Sequence, residues 1–176
     1  MSGGARPGVS PDALFLPVGV LVERRPAVSR WADHVWRAVE VLEDAPEVPP
    51  WTVLREEAGR TLFFAGLAEV ELHPTDTSNY KHNLEAATPL VWVILRPAAE
   101  TPSGWRLQTV TVDPGEAHVH ADVGADLLES LPMPPGLRAV TAGFVARHHK
   151  ERGFWKRKRD QADPEALARR PREEEE

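Results

Sequence analysis

Seven histidines and no cysteine stand among the 176 residues, so any metal in this chain would rest on imidazole and carboxylate. Two close pairs invite that idea, His118 with His120 and His148 with His149. Helical geometry works against either pair acting alone, because residues two apart point about 200° from one another around the axis and adjacent ones also diverge. A site would need one histidine from each pair and a further ligand such as Asp122. The plainer role for His148 is to extend an apolar helical stripe, and for His149 to sit near a helix C-terminus where positive charge is favoured. Covalent catalysis has still less to build on. Ser29, Ser78, Ser103 and Ser130 lie in neither a G-x-S-x-G elbow nor an S-x-x-K arrangement, and no Gly-rich phosphate loop occurs. Glu69 and Glu71 share a strand face, a pattern that solvated surfaces produce more often than acid–base pairs do. No cofactor is implied, and the chemistry expected is recognition without catalysis.

The segment best suited to recognition is Phe154, Trp155, Lys156, Arg157, Lys158 and Arg159, where two aromatics meet four cations in a chain of formal net charge −6. Four adjacent cations repel one another, and an exposed Phe–Trp pair costs apolar hydration unless something covers it. The expectation is a docking strip for a partner protein. Aromatic area would supply affinity, and the cations would steer encounter with an acidic surface and fix register. A second contact site is expected at Tyr80, Lys81, His82 and Asn83, in a polar insert between two apolar strands, since loops held by a rigid sheet collect binding groups. Arg30, Trp31, His34 and Trp36 form another aromatic–basic group, for which the structural expectation is core packing.

Two other classes compete. The cations from Arg147 to Arg159 could contact nucleic acid, with Trp155 stacking on an unpaired base, but the acidic total disfavours it. The histidines could make the chain a small metalloprotein. The cations could also balance the acidic tail, which ends in four glutamates, Glu173–Glu176.

These segments must be positioned by a fold of modest size. Hydrophobic residues make up 41% and charged ones 27%, the balance of one globular domain with loose ends. The domain is expected over 14–159, with a disordered lead-in at 1–13 and a charged disordered tail at 160–176. The longest apolar run, Pro89–Leu95, has strand length, so no membrane span is expected and a cytoplasmic location fits the cysteine-free composition.

Alternation at Leu16, Val18, Val20 and Val22 predicts a half-buried first strand. In a second, Val35, Val39 and Val41 are expected on one side and Trp36, Ala38 and Leu42 on the other. Trp51–Glu56 reads as a short strand, with Ala58, Gly59 and Arg60 turning into a longer one whose Leu62, Phe64, Ala68, Val70 and Leu72 share a face across a step at Gly66. A helical turn capped by Thr75 or Asp76 falls in the polar insert. Leu90–Leu95 reads as a central strand and Trp105–Val112 as its antiparallel neighbour. Asp113, Pro114 and Glu116 spell a helix start, ending by Gly124. Leu127–Met133 is extended, and Leu137, Val140, Thr141, Phe144, Val145 and His148 fall at helical spacing to pack on the sheet. The fold class expected is α+β: one antiparallel sheet of about six strands packed by two late helices, with disordered termini.

Taken in order, LPVGVLVERRP, SRWADHVWRAVEVL, FFAGLAEVELHPTDTSNYKHNLE, PLVWVILRP, LPMPPGL and the closing HH and FWKRKR segments resemble a bacterial domain-of-unknown-function family, number 3305, over about Leu16–Arg159. The resemblance carries over no activity, cofactor or catalytic residue. What it implies is a setting: such proteins tend to be encoded beside molybdenum-dependent formate dehydrogenases and their assembly chaperones. An accessory or maturation role follows, with a formate dehydrogenase subunit or its chaperone as the implied partner.

Overall fold

The computed structural model describes residues 7–151. Seven strands and three helices follow in the order β1 (Leu14–Pro26), β2 (His34–Leu42), β3 (Thr52–Glu57), β4 (Arg60–Leu72), α1 (Thr77–Leu84), β5 (Leu90–Pro97), β6 (Trp105–Thr111), α2 (Pro114–Ala121), β7 (Leu127–Pro132) and α3 (Pro135–His148), with a 3-10 turn at Pro74–Asp76. The mixed α/β class matches expectation, but a single six-stranded sheet does not. Instead there are two antiparallel sheets, ordered β2-β1-β4-β3 and β6-β5-β7. They meet along two seams, β4 beside β6 and β2 beside β7, and bury one shared core. Val18, Val20 and Val22 of β1 pack there against Val91, Val93 and Leu95 of β5, with Tyr80 from α1 and Leu137 and Phe144 from α3. Across the β2–β7 seam, Arg37 donates Nε to Glu129 Oε1 at 3.3 Å and Nη2 to Oε2 at 3.4 Å.

The single sheet fails as an expectation because no hydrogen-bonded ladder joins β4 to β6 or β2 to β7, and within the four-stranded sheet two bulges also reset the strand faces. Leu21 pairs with Glu40 and Val22 with Ala38, so Val39 is an extra residue on β2. One extra residue reverses every later side chain. Ala38 and Val41 therefore both reach the core, and Val39, expected on the side of Val41, is exposed. On β4 the register slips between Gly66 and Phe64, with Gly66 at φ 133. That is the step expected at Gly66, but the chain beyond it changes face. Val70 and Leu72 join the core with Ala65, while Phe64 lies against Gly19 on the opposite face. A Cβ at Gly19 would come within 2.9 Å of the Phe64 ring and 2.8 Å of Ala45 Cβ, so only glycine lets the segment after β2 close over that face.

The helices start by different means. Asp113 caps α2 as its sequence announces: Oδ1 accepts the Gly115 N–H at 2.7 Å and the Glu116 N–H at 3.4 Å. Asp76 makes no such bond, and α1 starts from the preceding 3-10 turn. At α3 the N-cap residue is Pro134, whose ring carries no hydrogen-bond acceptor. The Glu43 carboxylate accepts the Gly136 N–H at 3.2 Å in its place, and a Cβ on Gly136 would collide with that carboxylate. A cation-seeking carboxylate also suits the positive end of the helix. α3 buries Leu137, Thr141 and Phe144, leaves Val140 exposed, and takes α1 as its main helical neighbour.

The β3–β4 hairpin turns through Ala58 and Gly59, both at positive φ, 50 and 77, closed by the Glu57–Arg60 rung. An alanine held in the left-handed region costs about 1–2 kcal/mol, and Asn-Gly is the preferred pair for this turn. Ala58→Asn should accordingly raise stability by about 0.5–1 kcal/mol in urea denaturation, with an unchanged m-value.

Candidate functional site

The expected docking strip, Phe154, Trp155, Lys156, Arg157, Lys158 and Arg159, lies outside the described residues. Its approach does not. α3 ends at His148, His149 Nδ1 stands 3.1 Å from Thr77 Oγ1, and Glu151 accepts a 3.0 Å ion pair from Lys81. That pairing favours the charged form of each partner, raising the proton affinity of Lys81 and lowering that of Glu151. The described chain thus ends against the outer side of α1, three positions before Phe154.

The second expected site, Tyr80, Lys81, His82 and Asn83, is divided by that same helix. Tyr80 and Asn83 turn inward, at 2% and 5% exposure, and only Lys81 and His82 face outward. Residues 77–84 form the helical turn expected in this insert, extended to an α-helix, and helical spacing puts i and i+3 on one face, so the four are not displayed together. Tyr80 Oη accepts the His73 N–H at 3.0 Å and donates to the Glu71 carbonyl at 3.5 Å. Burial pushes its phenol well above the ordinary range, so it stays protonated and structural. Asn83 is spent entirely on the backbone. Its Nδ2 donates to the Leu90 carbonyl at 2.8 Å and the Val112 carbonyl at 2.9 Å, and its Oδ1 accepts the Leu90 N–H at 2.9 Å.

The histidines do not converge. His118 is exposed on α2 while His120 is half-buried and points elsewhere, as their spacing requires. His120 Nδ1 lies 3.5 Å from Asp126 Oδ2, whose fully buried carboxylate is gripped by Arg96 through 2.8 and 2.7 Å bonds. Arg96 holds the Asp126 pKa below the usual carboxylate range. The sign follows: the stabilisation is present above the ordinary carboxylate pKa and is lost as pH falls through the lowered one. His148 stacks on Phe144 at 4.5 Å between ring centroids, and His149 faces Thr77. Among the described residues no group of three or more His, Asp or Glu is placed to hold a metal. Glu71, His73, Asp76, Asp113 and Glu116 do line an acidic cleft of about 340 Å³ beside α1 and α2, with His73 Nε2 3.1 Å from Glu71 Oε2. Asn79 ties α1 to α2 there through a 3.2 Å bond to Asp113.

The third aromatic–basic group changes most. Trp36 packs against the core as expected, but Trp31 stands at 94% exposure on the tip of the β1–β2 hairpin, with Val28 fully exposed beside it. The tip is tied by Ala27 N–H to Asp33 carbonyl at 3.1 Å and by Trp31 N–H to Ser29 Oγ at 3.2 Å. Behind it lies a cluster that the sequence does not disclose. Trp36, Trp51 and Phe63 meet with centroids 5.5–6.1 Å apart, and the Arg24 guanidinium carbon sits 5.7 Å from the Trp36 ring centre and 5.5 Å from that of Phe63. Trp51 holds φ 65, an uncommon backbone for so bulky a residue. Its N–H is fixed on the Phe64 carbonyl and its ring on the cluster, which keeps it there. Only the cross-strand rung joining Arg24 to Trp36 could have announced this group, and that rung depends on the bulge.

Two antiparallel sheets around a common core, closed by three short helices, define a small mixed α/β domain. Its sequence matches the family model described as Protein of unknown function (DUF3305) over residues 17–159, and the chain belongs to that family. No curated protein and no solved structure matches it. No helix among the described residues is long and apolar enough to cross a membrane.

Unequal effects are expected from two substitutions. Asn83→Ala leaves buried backbone groups of Leu90 and Val112 without their partner and should cost about 3 kcal/mol in urea denaturation. Trp31→Ala, at a fully solvated position, should stay within about 0.5 kcal/mol of the parent. A large loss at Trp31 would mean that its ring is covered.

Proposed function

We propose that this protein is a cytoplasmic adaptor that recognises a partner protein and carries out no reaction of its own. The observation that supports this best is Trp31, a large apolar side chain held out at 94% exposure on a tied hairpin beside Val28 and Arg30. Tryptophan and arginine dominate binding hot spots, where truncation of a single side chain costs about 2 kcal/mol or more. The Phe154–Arg159 strip repeats the same composition at the other end of the fold's sequence. Both elements are cationic and aromatic in a chain of net charge −6, so the surface they suit is acidic with an apolar pocket.

The setting follows from the family resemblance, which points to assembly of molybdenum-dependent formate dehydrogenase. In that role the protein docks on a formate dehydrogenase subunit or its chaperone. Burial of Tyr80 and Asn83 leaves Lys81 and His82 as the parts of the second site that such a partner could touch.

Affinity purification of the tagged chain from its native host tests this. A formate dehydrogenase component should co-purify at low salt and be lost at high salt, since exposed charge contacts are screened. Trp31→Ala and the pair Phe154→Ala, Trp155→Ala should each reduce recovery by about tenfold or more while leaving the fold intact. Recovery unchanged in all three variants would refute the assignment of these elements.

A further inference from the structure

Three of the four arginines of the β1–β2 hairpin differ from the fourth and from nearby arginines in what they touch. Arg37 pairs with Glu129, Arg60 with Glu23 and Arg55 with Glu57. Arg24, Arg25 and Arg30 have no carboxylate partner within 4.0 Å among the described residues, although the chain carries an excess of acids. Of the three, Arg24 is the most restrained. Its guanidinium lies over Trp36 and Phe63, and its Nη2 donates to Thr61 Oγ1 at 3.3 Å. A guanidinium stacked on aromatic faces has already lost most of its rotamer freedom and still presents further N–H donors in a fixed fork. Such a group suits a carboxylate, which it can grip in bidentate fashion at little further ordering cost.

Arg24 also occupies a defined place relative to Trp31. It pairs with Trp36 across the β1–β2 ladder, and the next two rungs, Arg25–Val35 and Pro26–His34, lead into the tip. At about 3.3 Å per residue, the stacked guanidinium stands roughly 7 Å behind the last rung. Val28 and Trp31 supply apolar area at the tip and Arg30 adds charge beside them, while Arg25, next to Arg24 on the strand, carries its charge on the other face of the ribbon. The left-handed Trp51 backbone completes the third ring behind Arg24, the kind of local strain that a surrounding structure holds in place at binding sites.

We infer that the β1–β2 hairpin is a docking site for an acidic segment of a partner protein, with a partner carboxylate on Arg24 and a partner apolar side chain on Trp31. The inference rests on the adaptor role and specifies the chemistry that the hairpin recognises. The charge balance selects this occupant: Arg24 and Arg30, without described carboxylate partners, call for carboxylates, and an exposed tryptophan calls for an apolar side chain beside them. Two other occupants are conceivable on charge alone, the chain's own Glu173–Glu176 and single-stranded nucleic acid.

A library of random twelve-residue peptides displayed on phage, selected against the full chain at low salt, provides the probe. Enriched peptides are expected to carry two or more Asp or Glu next to an apolar residue. A synthetic copy of an enriched peptide should bind about tenfold more weakly to Arg24→Met, which keeps the apolar stem but loses the guanidinium, and to Trp31→Ala. Its Glu→Gln and Asp→Asn version should be weakened similarly. Circular dichroism establishes that each variant is folded; should Arg24→Met fail there, Arg30→Met with Trp31→Ala replaces it. The inference is overturned by any of four results: no enrichment, enriched peptides without acids, binding indifferent to these substitutions, or binding that appears only in a chain ending at 159, which would give the site to the protein's own tail. Tighter, Trp31-dependent binding of a random single-stranded 20-mer would overturn it in favour of nucleic acid. Failure here alongside intact Trp31-dependent co-purification would remove the acidic-segment chemistry and leave the adaptor role standing.

Discussion

Asn83 is the side chain on which the arrangement turns. Through three short bonds it joins α1 to the start of β5 and to the residue after β6, two points 22 positions apart in sequence. Without that clasp, a helix as polar as TSNYKHNL has little reason to lie against an apolar core, for its own apolar contribution is mainly Tyr80. With it, Tyr80 enters the core beside Phe144, and α1 becomes the wall on which α3 rests. The end of α3 and Glu151 then come to Thr77 and Lys81. A buried amide with all its hydrogen bonds made is both stabilising and selective, because no other helix position would satisfy the same three backbone groups.

Much of this was legible in the sequence where the controlling interactions are local. Alternation locates β1 and β4, a continuous apolar run locates β5, and the Asp-Pro-x-Glu start of α2 forms the cap its residues spell. What stayed hidden depends on partners far along the chain. Val39 and Ala65 are ordinary strand residues until a neighbour's register makes them bulges, and those bulges decide which residues of β2 and β4 face the core. The cap of α3 comes from Glu43, 93 positions away, so nothing near Pro134 could suggest it.

The candidate sites follow the same division. Tyr80 and Asn83 looked available because their segment is polar, yet polarity there serves backbone groups that the core would otherwise leave unpaired. Trp31 looked like core because tryptophan usually is, yet it sits where a seven-residue hairpin connection leaves no layer to cover it. Its neighbour Trp36 differs by standing inside the ladder, opposite Arg24. Side-chain chemistry nominated both groups, and their place relative to the sheet decided which of them remains open.

The proposed interaction role therefore depends on aromatic rings open to a partner, of which Trp31 is the exposed one among the described residues. Hydroxyl-radical footprinting of the intact chain, read residue by residue at its six tryptophans, measures this directly. Trp31 and Trp155 should oxidise at rates approaching that of a free tryptophan, with Trp36, Trp51, Trp92 and Trp105 several times slower. Protection of Trp31 and Trp155 to the level of Trp36 in the isolated protein would contradict the central claim, since neither ring would then be open to a partner.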